Sequence, residues 1–224
     1  MNFFKKAILS TIRKCGYELY RIEAKNTGQV HAKEHDPDQI DACYRKLRAL
    51  GIDKAHYGCG PKLFGDGWAN IDFTSPGKIS ANVFILANLA SRHPFSSDFF
   101  RFAFAEDFIE HLDQAESIIF LSEAYRSLRP DGVLRLSSPG LKGVLNRHYK
   151  SGDYEGAEKG RQEAYTHWEH RHFYCEESLT MVARHIGFSE IEFVEYGKSK
   201  YKELNSLDSR SDQKDLNIYV ELRK

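Results

Sequence analysis

A chain of 224 residues, 41% of them hydrophobic, is long enough to bury one full core and reads as one main domain. Its 32 Lys and Arg balance its 32 Asp and Glu, which excludes a global field for nucleic acid and leaves room only for local basic patches. Four scattered cysteines (Cys15, Cys43, Cys59, Cys175) without zinc spacing, no apolar run of the roughly 18–20 residues that cross a bilayer, and no signal-peptide core at the start together predict a cytoplasmic protein with reduced thiols.

Over residues 2–19 the apolar side chains Phe4, Ile8, Ile12, Cys15 and Leu19 share one narrow helical stripe, with Lys6 and Arg13 opposite. Residues 1–25 hold six Lys or Arg against two Glu. Such a basic amphipathic helix suits an anionic membrane surface and peripheral attachment at the inner membrane face; the same stripe equally suits docking on the rest of the chain or on a dimer partner. Residues 26–38 are polar, contain Gly and Pro, and read as a linker, leaving 39–224 as the main domain. A helix capped within 36–38 runs to about Leu50, with Ile40, Cys43, Leu47 and Leu50 on one face, and Gly51 ends it.

Strands and helices then alternate, which predicts an α/β fold: a doubly wound, mostly parallel sheet covered on both faces. Strands are expected at 55–57, at 69–73, within 79–89, at 102–105, at 133–137 with clean apolar and polar alternation, at 191–196 and at 217–222. A helix over 107–128 carries Phe108, Leu112, Ala115, Ile119 and Leu128 at helical spacing before Pro130-Asp131-Gly132 stops it. Another, over 176–187, ends at Gly187. Residues 140–172 are glycine-rich, charged and aromatic, and read as a lid or insertion.

The first strand runs into Gly58-Cys59-Gly60, the glycine turn that lets a backbone approach a ligand at the carboxyl ends of the strands. A dinucleotide fingerprint needs a third glycine, but that position is Leu63. Asp72 follows Gly60 by 12 residues, at the tip of the second strand, where a carboxylate accepts hydrogen bonds from both hydroxyls of a ribose.

The runs HYGCGPKLFGDGWANIDF, NLASRHPFSSDFFRFAFAEDFIEHL and LRPDGVLRLSSPGL, followed by HRHFYCEESLTMVARHIGFSEIEFVEYGKS, resemble the ordered motifs of the class I S-adenosylmethionine-dependent methyltransferases over roughly residues 52–222. They look closest to the small methyltransferase-like proteins associated with bacterial surface-polysaccharide synthesis. The resemblance implies a Rossmann-like sheet of seven strands with the last one antiparallel, and S-adenosyl-L-methionine as cofactor. It places the cofactor at Tyr57, Gly58, Cys59, Gly60, Asp72, Phe73, Asn88 and Ala105: the glycines against its methionine part, Asp72 on the ribose, Phe73 and Asn88 on the adenine. The implied activity is O-methylation of a sugar or glycan intermediate. His56, where most members carry an acid, Asn88, where many carry an aspartate, and Gly140 depart from the pattern. These departures would fit a scaffold in polysaccharide assembly that has lost catalysis; a small-molecule methyltransferase is a third reading.

Methyl transfer asks a protein mainly for alignment, and a sugar hydroxyl also needs a base or a metal. Asp107, Glu110 and His111 stand at i, i+3 and i+4, which on a helix puts all three on one face. They could hold a divalent cation, His111 could act as base with Glu110 orienting it, or the acids could simply favour a helix start. His167, His170 and His172 in HWEHRH match no zinc spacing; His170 and His172 are candidates for contact with substrate under a lid, or chance members of a surface loop.

Overall fold

The computed structural model describes residues 18–21, 37–74 and 83–224. Most of the expected amino-terminal helix and linker lies outside them, as does the part of the third apolar stretch before Val83. Residues 18 and 19, expected at the end of that helix, instead belong to a strand, β1 (Glu18–Arg21).

The first described helix, α1 (Pro37–Ala49), has Pro at its start and Lys46 and Arg48 in its last turn, where cations complement the helix dipole. Among its side chains whose burial is described, Cys43 and Leu47 are buried. Gly51, at φ 68°, closes it, a left-handed position that suits glycine. Then follow β2 (Lys54–Tyr57), β3 (Trp68–Asp72), β4 (Val83–Leu86), β5 (Phe100–Glu106), α2 (Gln114–Ser127) and β6 (Leu128–Pro139). The chain finishes with α3 (Leu141–His148), α4 (Tyr154–Arg161), α5 (Glu176–Ile186), β7 (Glu190–Phe193) and β8 (Asn217–Arg223). Among these described elements no helix is long and apolar enough to cross a membrane.

One sheet of eight described strands runs in the order β1-β4-β3-β2-β5-β6-β8-β7. β8 is antiparallel to both its neighbours, and every other pairing is parallel. Seven of the strands make the expected sheet; β1, paired alongside β4, is an eighth that sequence patterning did not anticipate. Its four residues are too few to show a period.

Ala69, Ala55 and Ala103 lie abreast at the centre of the sheet. Without bulk there, α1, α2 and α5 close down on that face through Leu47, Phe120, Leu121 and Leu179. The opposite face differs from the expectation. Among the described residues it is covered by irregular chain, with Phe64, Tyr201 and Leu204 packed on Trp68, Phe102, Phe104 and Val133. The connections 73–82 and 87–99 are about as short as a parallel crossover permits, and the described parts of them hold no helix.

That second face also overturns the alternation expected at 133–137, because β6 is buried on both sides from Val133 to Pro139. Arg135, the polar residue in the middle of that alternation, is fully buried. Its guanidinium pairs with Asp208 and with Glu221 at 3.0 Å, and donates to the Lys198 carbonyl at 2.8 Å, fastening the 195–208 segment onto the sheet. His56, on the same face, stacks on Phe64 at 4.1 Å between centroids and lies 3.3 Å from Asn70. Burial, against that hydrogen bond, pulls its pKa down to about 3, so the ring is neutral packing.

Arg135→Met should destabilise the fold by about 3–5 kcal/mol, because it strands two buried carboxylates. Urea unfolding measures this; a loss below about 1 kcal/mol would show that the ion pairs do not hold the segment down.

Candidate active site

Five parallel strands deliver their carboxyl ends to one edge: Tyr57, Asp72, Leu86, Glu106 and Pro139. The chain proceeds from β2 outward to β3 and β4, then returns to β5 and β6 on the other side, so the order reverses between β2 and β5. Loops leaving in opposite directions open a crevice at such a switch point.

On the β2 side the chain turns through Gly58 (φ 59°) and Gly60 (φ 50°). The turn is held by Asp72: the Gly60 N–H donates to Oδ2 at 2.8 Å and the Thr74 N–H to Oδ1 at 3.0 Å. Two lone pairs per oxygen leave this carboxylate able to accept further bonds from a ribose. Phe73, beside it, is 73% exposed. Asn88 is exposed too; its Oδ1 takes the Ala90 N–H at 3.0 Å and keeps a second acceptor position.

The two glycines differ. A Cβ on Gly60 would meet no described atom within 4 Å, so that face is open to a ligand, whereas a Cβ on Gly58 would run into the Phe108 ring. Tyr57, Cys59 and Ala105 are buried framework at this edge. Tyr57 turns its ring into the core against Phe100 and Phe120, and its hydroxyl lies 3.0 Å from Ser127. Burial, helped by the Asp72 charge, pushes the Cys59 thiol up to about 12, which leaves it inert.

On the β5 side the expected helix over 107–128 is corrected. It begins only at Gln114, because Asp113 caps it and Glu116 reaches back to the Asp113 N–H, a reciprocal capping box. Asp107 instead adopts a left-handed backbone at φ 49°, and Ile109–His111 forms one 3₁₀ turn. The i, i+3, i+4 helical face therefore does not exist. Asp107 is occupied by Arg210 at 2.9 Å and Asn217 at 3.2 Å, and burial raises its pKa to about 6 against the pull of Arg210.

Glu110 points inward and is 1% exposed. Neither carboxylate oxygen has a hydrogen-bond partner among the described residues, and burial raises its pKa well above the usual carboxylate range. His111 sits beside it, its pKa lowered by burial against a hydrogen bond to the Glu169 carbonyl. His170 completes the group: its Nε2 is 3.9 Å from Glu110 Oε1, its ring is 4.9 Å from that of His111, and burial lowers its pKa to about 4.

His170 arrives because the loop docks on the 3₁₀ turn. The Glu110 carbonyl accepts the N–H groups of Arg171 at 2.7 Å and His172 at 3.2 Å, and Arg171 bridges to Asp113 and Glu116. His172 turns away, its ring 4.6 Å from Tyr174. The 140–172 segment, expected as a lid or insertion, is folded as α3, α4 and a π-helical turn over Gln162–His167. Together these elements enclose a cleft of about 270 Å³ lined by Asp107, Glu110, His111, His148, Trp168 and His170, with Arg210 at its side. Phe108 was expected on the apolar stripe of a helix and Arg210 was not singled out from sequence at all; only folding brings Arg210 across 103 residues to Asp107.

No protein-family model matches this sequence, and no curated protein matches it. Among solved structures the chain is similar to an S-adenosylmethionine-dependent methyltransferase of Thermotoga maritima, with a TM-score of 0.50 and 18% identity over 81% of this chain and 87% of that one. It is similar also to one of Mesorhizobium loti, with a TM-score of 0.50 and 15% identity over 83% and 100%. The fold is that of the class I methyltransferases, extended by β1 at one edge.

Gly58→Ala should destabilise the protein by about 1–3 kcal/mol, through left-handed strain and overlap with Phe108. Adding Phe108→Leu should recover part of the loss in thermal unfolding. No recovery would mean that the Phe108 contact is not the constraint.

Proposed function

We propose that this chain is an S-adenosyl-L-methionine-dependent methyltransferase that methylates an oxygen of a small polar acceptor held in the cleft. The observation that carries the reading is the adjacency of two half-sites at one switch point: a turn open at Gly60 and organised by Asp72, and a cleft floored by Glu110, His111 and His170. Phe108 lies between them, against Gly58 and next to the 3₁₀ turn.

The residues of the first half-site fit the cofactor. Gly60 leaves room for its methionine part, Asp72 retains acceptor capacity for the ribose, and the exposed Phe73 and Asn88 are the residues that the resemblance assigns to the adenine. When bound, the cofactor supplies an electrophilic methyl group on a sulfonium. The protein's task is to aim an acceptor oxygen along the carbon–sulfur axis and to give the acceptor's proton a destination. His111, exposed, and His170, half-buried, both with lowered pKa, line the cleft as imidazoles with lone pairs to offer. Arg210 and His148 give it polar groups set among Trp168, Phe173, Val144 and Leu216, a mixed wall that suits a ring with hydroxyls at its rim and an apolar face.

Within that reading, the acceptor is a sugar or glycan intermediate. This step is supported by the sequence resemblance to polysaccharide-associated members and by the mixture of polar and aromatic groups in the cleft. Residues 1–25, with their basic amphipathic pattern, would bring the enzyme to an anionic membrane surface where lipid-linked acceptors lie.

Calorimetry with S-adenosylmethionine and its demethylated product tests the cofactor half. Asp72→Ala should weaken binding about 10- to 100-fold, as loss of charge-assisted bonds worth roughly 1.5–3 kcal/mol each implies. Gly60→Asn, which tolerates a left-handed backbone, should fold normally yet weaken binding at least about tenfold by filling the open face. Unchanged affinity in both folded variants would remove the cofactor from this turn.

A further inference from the structure

We propose that Glu110, His111 and His170 form a binding site for one divalent transition-metal ion of the zinc type at the floor of the cleft. The binding stands on these residues alone; its role, holding the acceptor hydroxyl and lowering its pKa so that the proton leaves to solvent through the cleft mouth, rests on the methyltransferase reading.

The ligand set is not the one that sequence spacing offered. Asp107 is excluded by its bonds to Arg210 and Asn217, and a histidine 60 residues beyond Glu110 takes its place. One ligand atom from each of Glu110, His111 and His170 lies within 4.8 Å of the others. Tetrahedral zinc, with bonds of about 2.0–2.2 Å, spaces its ligands roughly 3.3–3.6 Å apart, so side-chain shifts of roughly 1 Å close the set. Two imidazoles and one carboxylate, with the remaining side turned to a cleft, is a donor set suited to zinc and similar ions and poorly suited to magnesium.

Glu110 supplies the second, independent observation. A buried carboxylate without any hydrogen-bond donor among the described residues is costly, and a cation is what such a group lacks. The imidazoles are prepared as well. The Glu169 backbone carbonyl lies near enough to His111 to oppose the effect of burial on its pKa, and a carbonyl engaging one ring nitrogen would leave the other free as a ligand. Glu169 itself holds a left-handed backbone at φ 57° beside this contact. The loop carrying His170 is fixed twice, by the Glu110 carbonyl and by Arg171 on Asp113 and Glu116, so the ligands are held before any ion arrives.

The test uses the full chain stripped with a chelator and titrated with Zn²⁺ in calorimetry, then with Co²⁺ followed by visible absorption. The expected result is one high-affinity ion per chain, not displaced by excess Mg²⁺, and a Zn²⁺-dependent rise in melting temperature. Glu110→Gln and His170→Ala should each weaken that site at least about tenfold, while His185→Ala, on the outer face of α5, leaves it unchanged. His170→Ala sits in a loop, so folding is retained even where Glu110→Gln perturbs the core. Equal Zn²⁺ affinity and stoichiometry in the wild type and His170→Ala would overturn the proposal. Cofactor binding on the same samples separates the two claims: cofactor without zinc removes the metal site alone, and zinc without cofactor removes the methyltransferase reading alone.

Discussion

A parallel sheet buried on both faces can place chemistry only at its strand ends, and that constraint organises the rest of this molecule. With Ala55, Ala69 and Ala103 abreast on one face and Arg135 and His56 sealed on the other, the strands carry no functional side chain along their length. The candidate site residues gather at the edge where β2, β3, β4, β5 and β6 end. The reversal of strand order between β2 and β5 then brings the Gly58–Gly60 turn against Phe108 and the 3₁₀ turn behind it.

The two sides of that crevice are built by different physics. The β2 side is a backbone site, in which left-handed glycines and the Asp72 carboxylate shape one tight turn. The β5 side is a side-chain site assembled from distant segments, each fixed elsewhere first: Asp107 by Arg210, the 3₁₀ turn by the cap at Asp113, and the His170 loop by the Glu110 carbonyl. The cost of that assembly is concentrated in Glu110, a carboxylate removed from water without a hydrogen bond. Buried groups left in such a state mark places where a fold gives up stability for a function.

Much of the sheet and the β2 side was legible from local pattern. The strands at 54–57, 68–72 and 100–106 lie within about two residues of the expected spans, which were read from their order and from the glycine turn; α5 was marked by Gly187, and Asp72 by its distance from that turn. The β5 side was not. An acid-x-x-Glu-His run has helical spacing whether or not a helix is present, and the readable counter-signal, Asp113 followed by Glu116 as a capping box, moves the helix start by seven residues, from 107 to Gln114. Residues 140–172 were misleading because their glycines look like loop residues. Gly143 packs against the Leu216 carbonyl and Gly160 against His148, contacts that a side chain would forbid, so these glycines serve close packing of helices. The partners of Arg135 were not legible, because alternation at 133–137 cannot tell water from a buried pair of carboxylates. His170 meeting Glu110 depends on a hydrogen bond between backbones 61 residues apart, Arg171 to Glu110, and no local period encodes that.

A crystal structure of the chain with S-adenosylhomocysteine bound tests the central claim most directly, that one crevice joins a cofactor site at β2–β3 to an acceptor cleft at β5–β6. The ribose hydroxyls should lie on Asp72, the adenine between Phe73 and Asn88, and the sulfur should face past Phe108 toward Glu110 and His170. Density for the ligand away from the Gly60 turn, or bound there with its sulfur directed away from the cleft, would contradict it.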